Sequence, residues 1–215
     1  MLKNTLLPIA ILLLAGCSGL APEPDPGFEV VTYDRHSAFQ AAAGTDFSLY
    51  TRVRLERATV EFRENWVKDQ RRLYDNVIRE DDQRRIKTGM ADLVEQVLSR
   101  ELAEEGYTVV TDNGSDVMLF TPRIMELDVY APDRVKDYIG ESLADSKGRM
   151  RIELDIHDSV DGQLLATSWQ RREDPYDGRM ERANSVTNRQ AARLMLMRWT
   201  DWLFKALATT GNPAD

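Results

Sequence analysis

The sequence predicts an α+β fold: a mixed, largely antiparallel sheet with two long helices packed on one face. Three stretches predict it. Ile86, Met90, Leu93, Val94, Val97, Leu98 and Leu102 recur at steps of three and four, which lines them up along one side of a helix. Leu194, Met195, Trp199, Trp202, Leu203 and Ala206 repeat that spacing near the C-terminus. Between them Met150, Ile152, Leu154 and Ile156 alternate with Arg149, Arg151, Glu153 and Asp155, the period of a strand with one covered face.

At the N-terminus, residues 1–16 have the three parts of an export signal. Lys3 supplies the positive charge, Leu6 to Leu14 form a short apolar run, and Ala15 and Gly16 are small. Such a run rises only about 14 Å as a helix, half of the roughly 30 Å hydrocarbon core, so it is too short to span. Leu14-Ala15-Gly16-Cys17 resembles the lipobox of bacterial lipoproteins, and Cys17 is the only cysteine. The resemblance implies that a signal peptidase recognises Leu14, Ala15 and Gly16 and that Cys17 becomes the first mature residue. It would carry a diacylglycerol thioether and an N-acyl chain such as palmitate. One acyl chain holds a protein to a membrane only marginally, whereas two or more anchor it stably. In the Gram-negative lipoprotein pattern Asp after the cysteine retains a protein in the inner membrane. Ser18 stands there instead, which implies sorting to the outer membrane, facing the periplasm.

Ser18 to Gly27 contains three prolines and reads as an extended tether of at most about 33–36 Å. The organisation expected is therefore a signal peptide (1–16), an acylated cysteine with its tether (17–27), and a single domain (28–215). Phe28 to Tyr50 carries weak signals, with a turn or short helix at Ala41-Ala42-Ala43-Gly44. Thr51 to Phe62 reads as a strand whose apolar phase slips at Glu56-Arg57, the mark of a β-bulge. Glu64 to Arg79 reads as a loop with a helical turn.

Asp81 to Glu105 is the first long helix, with Asp81 and Asp82 suited to its N-terminus and Gly106 to its stop. Tyr107 to Val110 resumes as a strand, and Asp112-Asn113-Gly114 is a turn signal. Asp116 to Tyr130 is a long strand in which Met125, Leu127 and Val129 alternate with Glu126 and Asp128. Pro122 points to an edge or a bulge there. Ala131 to Lys147 reads as a polar loop. Arg149 to Ser168 is a hairpin turning at residues 158–162. Asn184 to Thr210 is the closing helix, with Thr187 and Gln190 spaced for a capping box and Gly211 as a stop.

Composition and motifs exclude several function classes. The chain has 36 acidic and 28 basic residues, a formal charge of −8, with no dominant basic patch, so no nucleic-acid partner is expected. Neither nucleophile elbow, phosphate loop nor dinucleotide fingerprint occurs. The two histidines, His36 and His157, lack neighbours at metal-ligand spacing. The pairs Asp81-Asp82, Glu104-Glu105 and Asp155 with Asp158 read as solvated surface. No catalytic residue, metal or cofactor is expected beyond the covalent lipid on Cys17.

Leu196, Met197, Phe204 and Leu207 widen the apolar arc of the closing helix beyond one face. Either this helix is sandwiched between the sheet and the Phe28–Tyr50 segment, or it exposes a partner patch of Leu196, Trp199, Trp202, Phe204 and Leu207.

LAGC at 14–17, RVRLERATVEF at 52–62, ELAEEGYTVV at 101–110 and MRIELDIHDSVDGQLLATSWQRRED at 150–174 together resemble the bacterial outer-membrane lipoproteins grouped as domain of unknown function 3313. That resemblance implies an envelope lipoprotein and assigns no activity. The expectation is a non-enzymatic accessory or scaffold, held to the membrane through acyl chains on Cys17 and meeting an envelope protein partner by its sheet edge or the Trp199–Trp202 helix. The alternative is a periplasm-facing binding module that holds a small ligand, lipid or glycan between the sheet and residues 131–147. An exposed strip including Leu196, Phe204 and Leu207 would favour the first, and a closed apolar pocket the second.

Overall fold

The computed structural model describes residues 26–74, 77–129, 143–144, 148–174, 181–182 and 185–210. The export segment, Cys17, Ser18, nearly all of the tether and most of the 131–147 loop lie outside the described residues. The chain opens on a hairpin, β1 (Phe28–Asp34) and β2 (Ser37–Ala42), followed by a 3-10 turn at Phe47–Leu49. Then come β3 (Arg52–Leu55), β4 (Thr59–Phe62), α1 (Trp66–Tyr74) and α2 (Glu80–Glu104). The remainder is β5 (Thr108–Val110), β6 (Val117–Val129), β7 (Leu143–Ala144), β8 (Gly148–Asp158), β9 (Leu164–Glu173), β10 (Glu181–Arg182) and α3 (Ser185–Thr210).

Eight strands form one sheet in the order β1-β2-β9-β8-β6-β3-β5, with β4 also on β6; β7 and β10 pair separately. The fold is α+β, as expected, but the sheet is not largely antiparallel. β3 and β4 run parallel to β6 and β5 runs parallel to β3, against four antiparallel pairings elsewhere. The reason is connectivity. The chain leaves β4 and passes through two helices before reaching β5 and β6, and a helical crossover returns a strand in its original direction.

The expected bulged strand at 51–62 is broken outright into β3 and β4, and the break is coupled to Pro122. Leu55 pairs with Phe120 and Thr59 with Arg123, so the ladder beside β6 has a gap at 122. A proline cannot donate to a ladder, and here it sits in a central strand where the neighbour on that side is missing. The slip in phase remains, since Val53, Ala58 and Val60 are all buried.

Two other segments differ from expectation. Residues 28–42, where the sequence signals are weak, form a hairpin, and β2 extends the sheet beside β9, while the turn expected within 41–44 falls at Ala43-Gly44. The alanines of β2 carry little strand signal, yet Ala38, Phe39 and Ala41 are buried. Residues 66–74 form a helix of nine residues where a loop with a helical turn was expected. Trp66 stacks on Phe62 at 4.1 Å, and its indole N–H donates to the Val129 carbonyl at 3.1 Å. Gln70 donates to the same carbonyl at 3.2 Å. That tertiary contact seats a short, highly charged amphipathic stretch as helix.

α2 ends as its sequence requires. Gly106 has φ +89°, the Gly106 N–H donates to Ala103 and the Tyr107 N–H to Leu102, the two bonds of a Schellman stop. At the other end Asp82 accepts the Arg79 N–H at 3.1 Å. α2 packs on β3, β4 and β5, α3 packs on β1, β2, β8 and β9, and the two helices touch each other. Leu93, Val94, Leu98, Ile152, Leu154, Ile156, Leu196, Trp199 and Leu203 belong to one continuous core. Each such large apolar side chain contributes about 1.5–3 kcal/mol by burial.

The opposite phase of the sheet is charged and largely self-neutralising. Arg123 bridges Glu153 at 3.1 Å and Asp155 at 2.6 Å, and Arg151 lies over the Trp169 ring at 5.6 Å. At the sheet margin Arg52 is held by Asp116 through two hydrogen bonds, one of them Nε to Oδ2 at 2.8 Å.

β6 carries a second irregularity. Glu126 has φ +52°, the register against β8 shifts between Met125 and Asp128, and Leu127 and Asp128 are both buried. The expected simple alternation through 125–129 therefore fails at a bulge. Opposite it, Gly148 has φ +145°, and a Cβ there would lie 2.4 Å from the Asp128 carbonyl oxygen.

Gly148→Ala is expected to lower stability by about 1–3 kcal/mol in urea denaturation, since the clash is with backbone and the dihedral is strained; an unchanged midpoint would contradict this packing. The hydrogen bond from Arg52 lowers the Asp116 carboxyl from its ordinary 3.8 to about 2. A depressed folded-state value means that this contribution is present above pH 3.8 and is lost as pH falls towards 2. Arg52→Gln should therefore flatten the stability profile in that window, as read by thermal melts at stepped pH.

Candidate functional site

A cleft of about 240 Å³ opens between the N-terminal halves of α2 and α3 and the adjoining ends of β6 and β8. Its floor is apolar. Ile86, Met90 and Leu93 come from successive turns of α2, Ala192 and Met195 from α3, and Leu127 and Met150 from the sheet. The helical residues fall at three- and four-residue steps, so the stripe that builds the core also builds the cleft wall. Two small residues, Gly89 on α2 and Ala192 on α3, keep the walls apart.

The rim is polar and mainly cationic. Arg85, Arg149 and Arg189 line it, with Asp128 the acidic member. The bulge at Glu126 turns the Asp128 carboxylate inwards, where it is 4% exposed and accepts from Arg63 at 2.7 Å and faces Arg149 at 3.3 Å. Burial opposes the Arg63 charge, but hydrogen bonds to Asp128 and Asp69 outweigh it and raise the Arg63 pKa. Arg85 is paired with Asp82 at 3.1 Å. Among the described residues Arg189 meets no carboxylate, and its Nη1 donates to the Gly89 carbonyl at 3.5 Å.

The residues expected from sequence to form a partner patch do not form one. Leu196, Trp199, Phe204 and Leu207 are buried in the core, and Trp202 is half-buried with its ring edge-on to Phe39 at 6.5 Å. The wide apolar arc is covered because α3 packs against the sheet on one side and α2 on another. The Phe28–Tyr50 segment does not cover it as a separate layer, because residues 28–42 are themselves part of the sheet. Leu14, Ala15, Gly16, Cys17 and Ser18 lie outside the described residues.

Neither histidine lines the cleft. His36 is exposed in the β1–β2 turn, where its Nε2 accepts from Arg35 at 2.7 Å, and His157 pairs with Leu119 of β6. Among the described residues no three His, Cys, Asp or Glu side chains converge as a metal site would require. Sequence reading missed Gly89 and Arg189. The available signal was a glycine inside an otherwise regular apolar helix, a position that costs roughly 1 kcal/mol relative to alanine.

No family profile matches the chain, and no curated protein sequence matches it. Among solved structures the likeness is partial. PelC from Paraburkholderia phytofirmans, solved as a dodecamer, is 8% identical with a TM-score of 0.37, over 75% of this chain and 93% of that one. A protein from Caulobacter crescentus CB15 classed as a lipoprotein is 13% identical with a TM-score of 0.37, over 78% of this chain and 98% of its own. A Xanthomonas campestris protein of the domain of unknown function 330 family is 14% identical with a TM-score of 0.34, over 53% and 58%. At this level of likeness none of them bears on what the present chain does. Among the described residues no helix is long and apolar enough to cross a membrane.

Asp128→Ala should destabilise the protein by about 1–3 kcal/mol in urea unfolding, because it strips Arg63 and Arg149 of a buried partner while both retain some solvent. A loss below 0.5 kcal/mol, within about the scatter of surface substitutions, would mean that the carboxylate does not organise this end of the cleft.

Proposed function

We propose that the chain is a non-enzymatic binding module, held in the bacterial envelope by lipid on Cys17, with the cleft between α2 and α3 as its ligand site. The cleft itself carries this reading. A concave apolar floor with a few convergent polar groups is the usual form of a small-molecule site, and this one is small for that class. The α3 surface that would have favoured a protein partner is core. An envelope protein partner, in the accessory reading, would have to meet an edge strand, β1 or β5. In the proposed arrangement both long helices lie over the apolar face of the sheet, and the ligand enters between them at one end.

The address rests on sequence. Leu14-Ala15-Gly16 before Cys17 supports acylation, and Ser18 supports outer-membrane placement facing the periplasm in a Gram-negative host. The likeness to the lipoproteins of domain of unknown function 3313 rests on the stretches quoted above, and no family profile carries it. Anchoring would raise the effective concentration of the domain for ligands that leave or enter the bilayer.

Protein extracted from envelopes in mild detergent should show, by native mass spectrometry, the acyl mass on Cys17 and a second, non-covalent mass of a few hundred daltons at most. Cys17→Ser should lose the first and move to the soluble fraction while retaining the second. Absence of any non-covalent mass would overturn the binding reading, and unchanged membrane fractionation of Cys17→Ser would overturn the anchor.

A further inference from the structure

Gly89 has no packing reason to be glycine. It lies in the interior of α2, where glycine weakens a helix, and a Cβ built on it would meet nothing within 4 Å. Glycine in a helix is commonly explained by close approach of another backbone, and that explanation fails here. What the missing side chain leaves is space, and the space is the cleft, with Ala192 on the facing helix lining it as well.

The charge around that space has one sign in excess. Three arginines and one aspartate line the cleft, in a chain whose formal charge is −8. Asp128 is already shared between Arg63 and Arg149, and Arg85 is paired with Asp82. Among the described residues Arg189, at the rim, has a long hydrogen bond to a carbonyl and no carboxylate. A guanidinium fork matches a carboxylate or phosphate in geometry and strengthens as its surroundings exclude water. Volume limits the apolar part. A dry cavity of about 150 Å³ holds a six-carbon ring, so 240 Å³ corresponds to about ten carbons, one alkyl chain without a second.

We infer that the cleft takes a single-chain carboxylate amphiphile of about ten carbons, its tail between Gly89 and Ala192 and its head on Arg189 and Arg149. This rests on the binding reading above and adds the class of ligand. The floor of Ile86, Met90, Leu93 and Met195 is flexible and apolar enough to follow an alkyl chain, methionine in particular adapting to irregular shapes.

The test uses full-length protein stripped of endogenous lipid, with three ten-carbon probes that differ only in head group: decanoate, decanol and decyltrimethylammonium. Titration calorimetry at low salt should rank decanoate about tenfold tighter than decanol, with the cationic probe weakest, the span expected of one charge-assisted contact. Gly89→Leu should abolish decanoate binding while its melting temperature holds or rises, since leucine is the better helix former. Arg189→Gln is exposed and should leave the fold intact while bringing decanoate down to the level of decanol. Equal binding of decanoate and decanol by the wild-type protein would overturn the carboxylate inference and leave the binding reading standing. Binding of none of the three would overturn both. Undiminished decanoate binding by a folded Gly89→Leu would place the ligand elsewhere and overturn the assignment of the cleft.

Discussion

The long strand β6 carries the constraint on which the rest of the molecule depends. On one side it holds β8 in antiparallel register from Met118 to Val129, and on the other it holds β3 and β4 in parallel. It therefore joins an antiparallel half, made of two hairpins, to a parallel half reached through α1 and α2. Both of its irregularities have consequences outside the strand. Pro122 coincides with the break between β3 and β4, and the bulge at Glu126 sends two consecutive side chains, Leu127 and Asp128, to buried positions. Leu127 completes the core, and Asp128 fixes Arg63 and Arg149 at the end of the cleft. Gly148 answers that bulge from β8, because no side chain fits against the Asp128 carbonyl.

The cleft follows from how the two long helices sit on this frame. Towards their C-terminal halves large residues fill the space between helices and sheet: Leu98, Leu102, Trp199, Leu203 and Phe204 are buried. Towards their N-terminal halves the facing positions carry Gly89 and Ala192, and the helices do not close. One pair of elements thus serves as core at one end and as cleft wall at the other. The arginines concentrate at the open end, where solvent can hydrate them when no anion is present.

Much of the architecture was legible from local pattern. The stripe from Ile86 to Leu102, the Gly106 stop, the alternation from Arg149 to Ile156 and the hairpin that follows are strong periodic signals; the helix bounds fall within a residue of expectation, while the return strand runs on to Glu173 past the expected Ser168. The failures share a cause. β1 and β2 are alanine-rich or half-exposed and show little period alone, and in α1 the few apolar residues are scattered among charges until Trp66 and Gln70 anchor it on the Val129 carbonyl. The parallel pairing of β3, β4 and β5 escaped for a related reason. Alternation in a strand reports which face is covered, not which way the adjacent strand runs.

The amino-acid sequence by itself determined the class of the fold, the two long helices and the central hairpin, because periodicity is a property of consecutive residues. It also supplied the export and lipobox pattern around Cys17, which is read as a linear string. Tertiary structure alone decided that the apolar arc from Leu196 to Leu207 is interior and that Gly89, Ala192, Asp128 and Arg189 share one cleft. Those four residues span more than a hundred positions of chain. What brings them together is the packing of two helices against each other beside the bulged end of β6, and no local spacing encodes that.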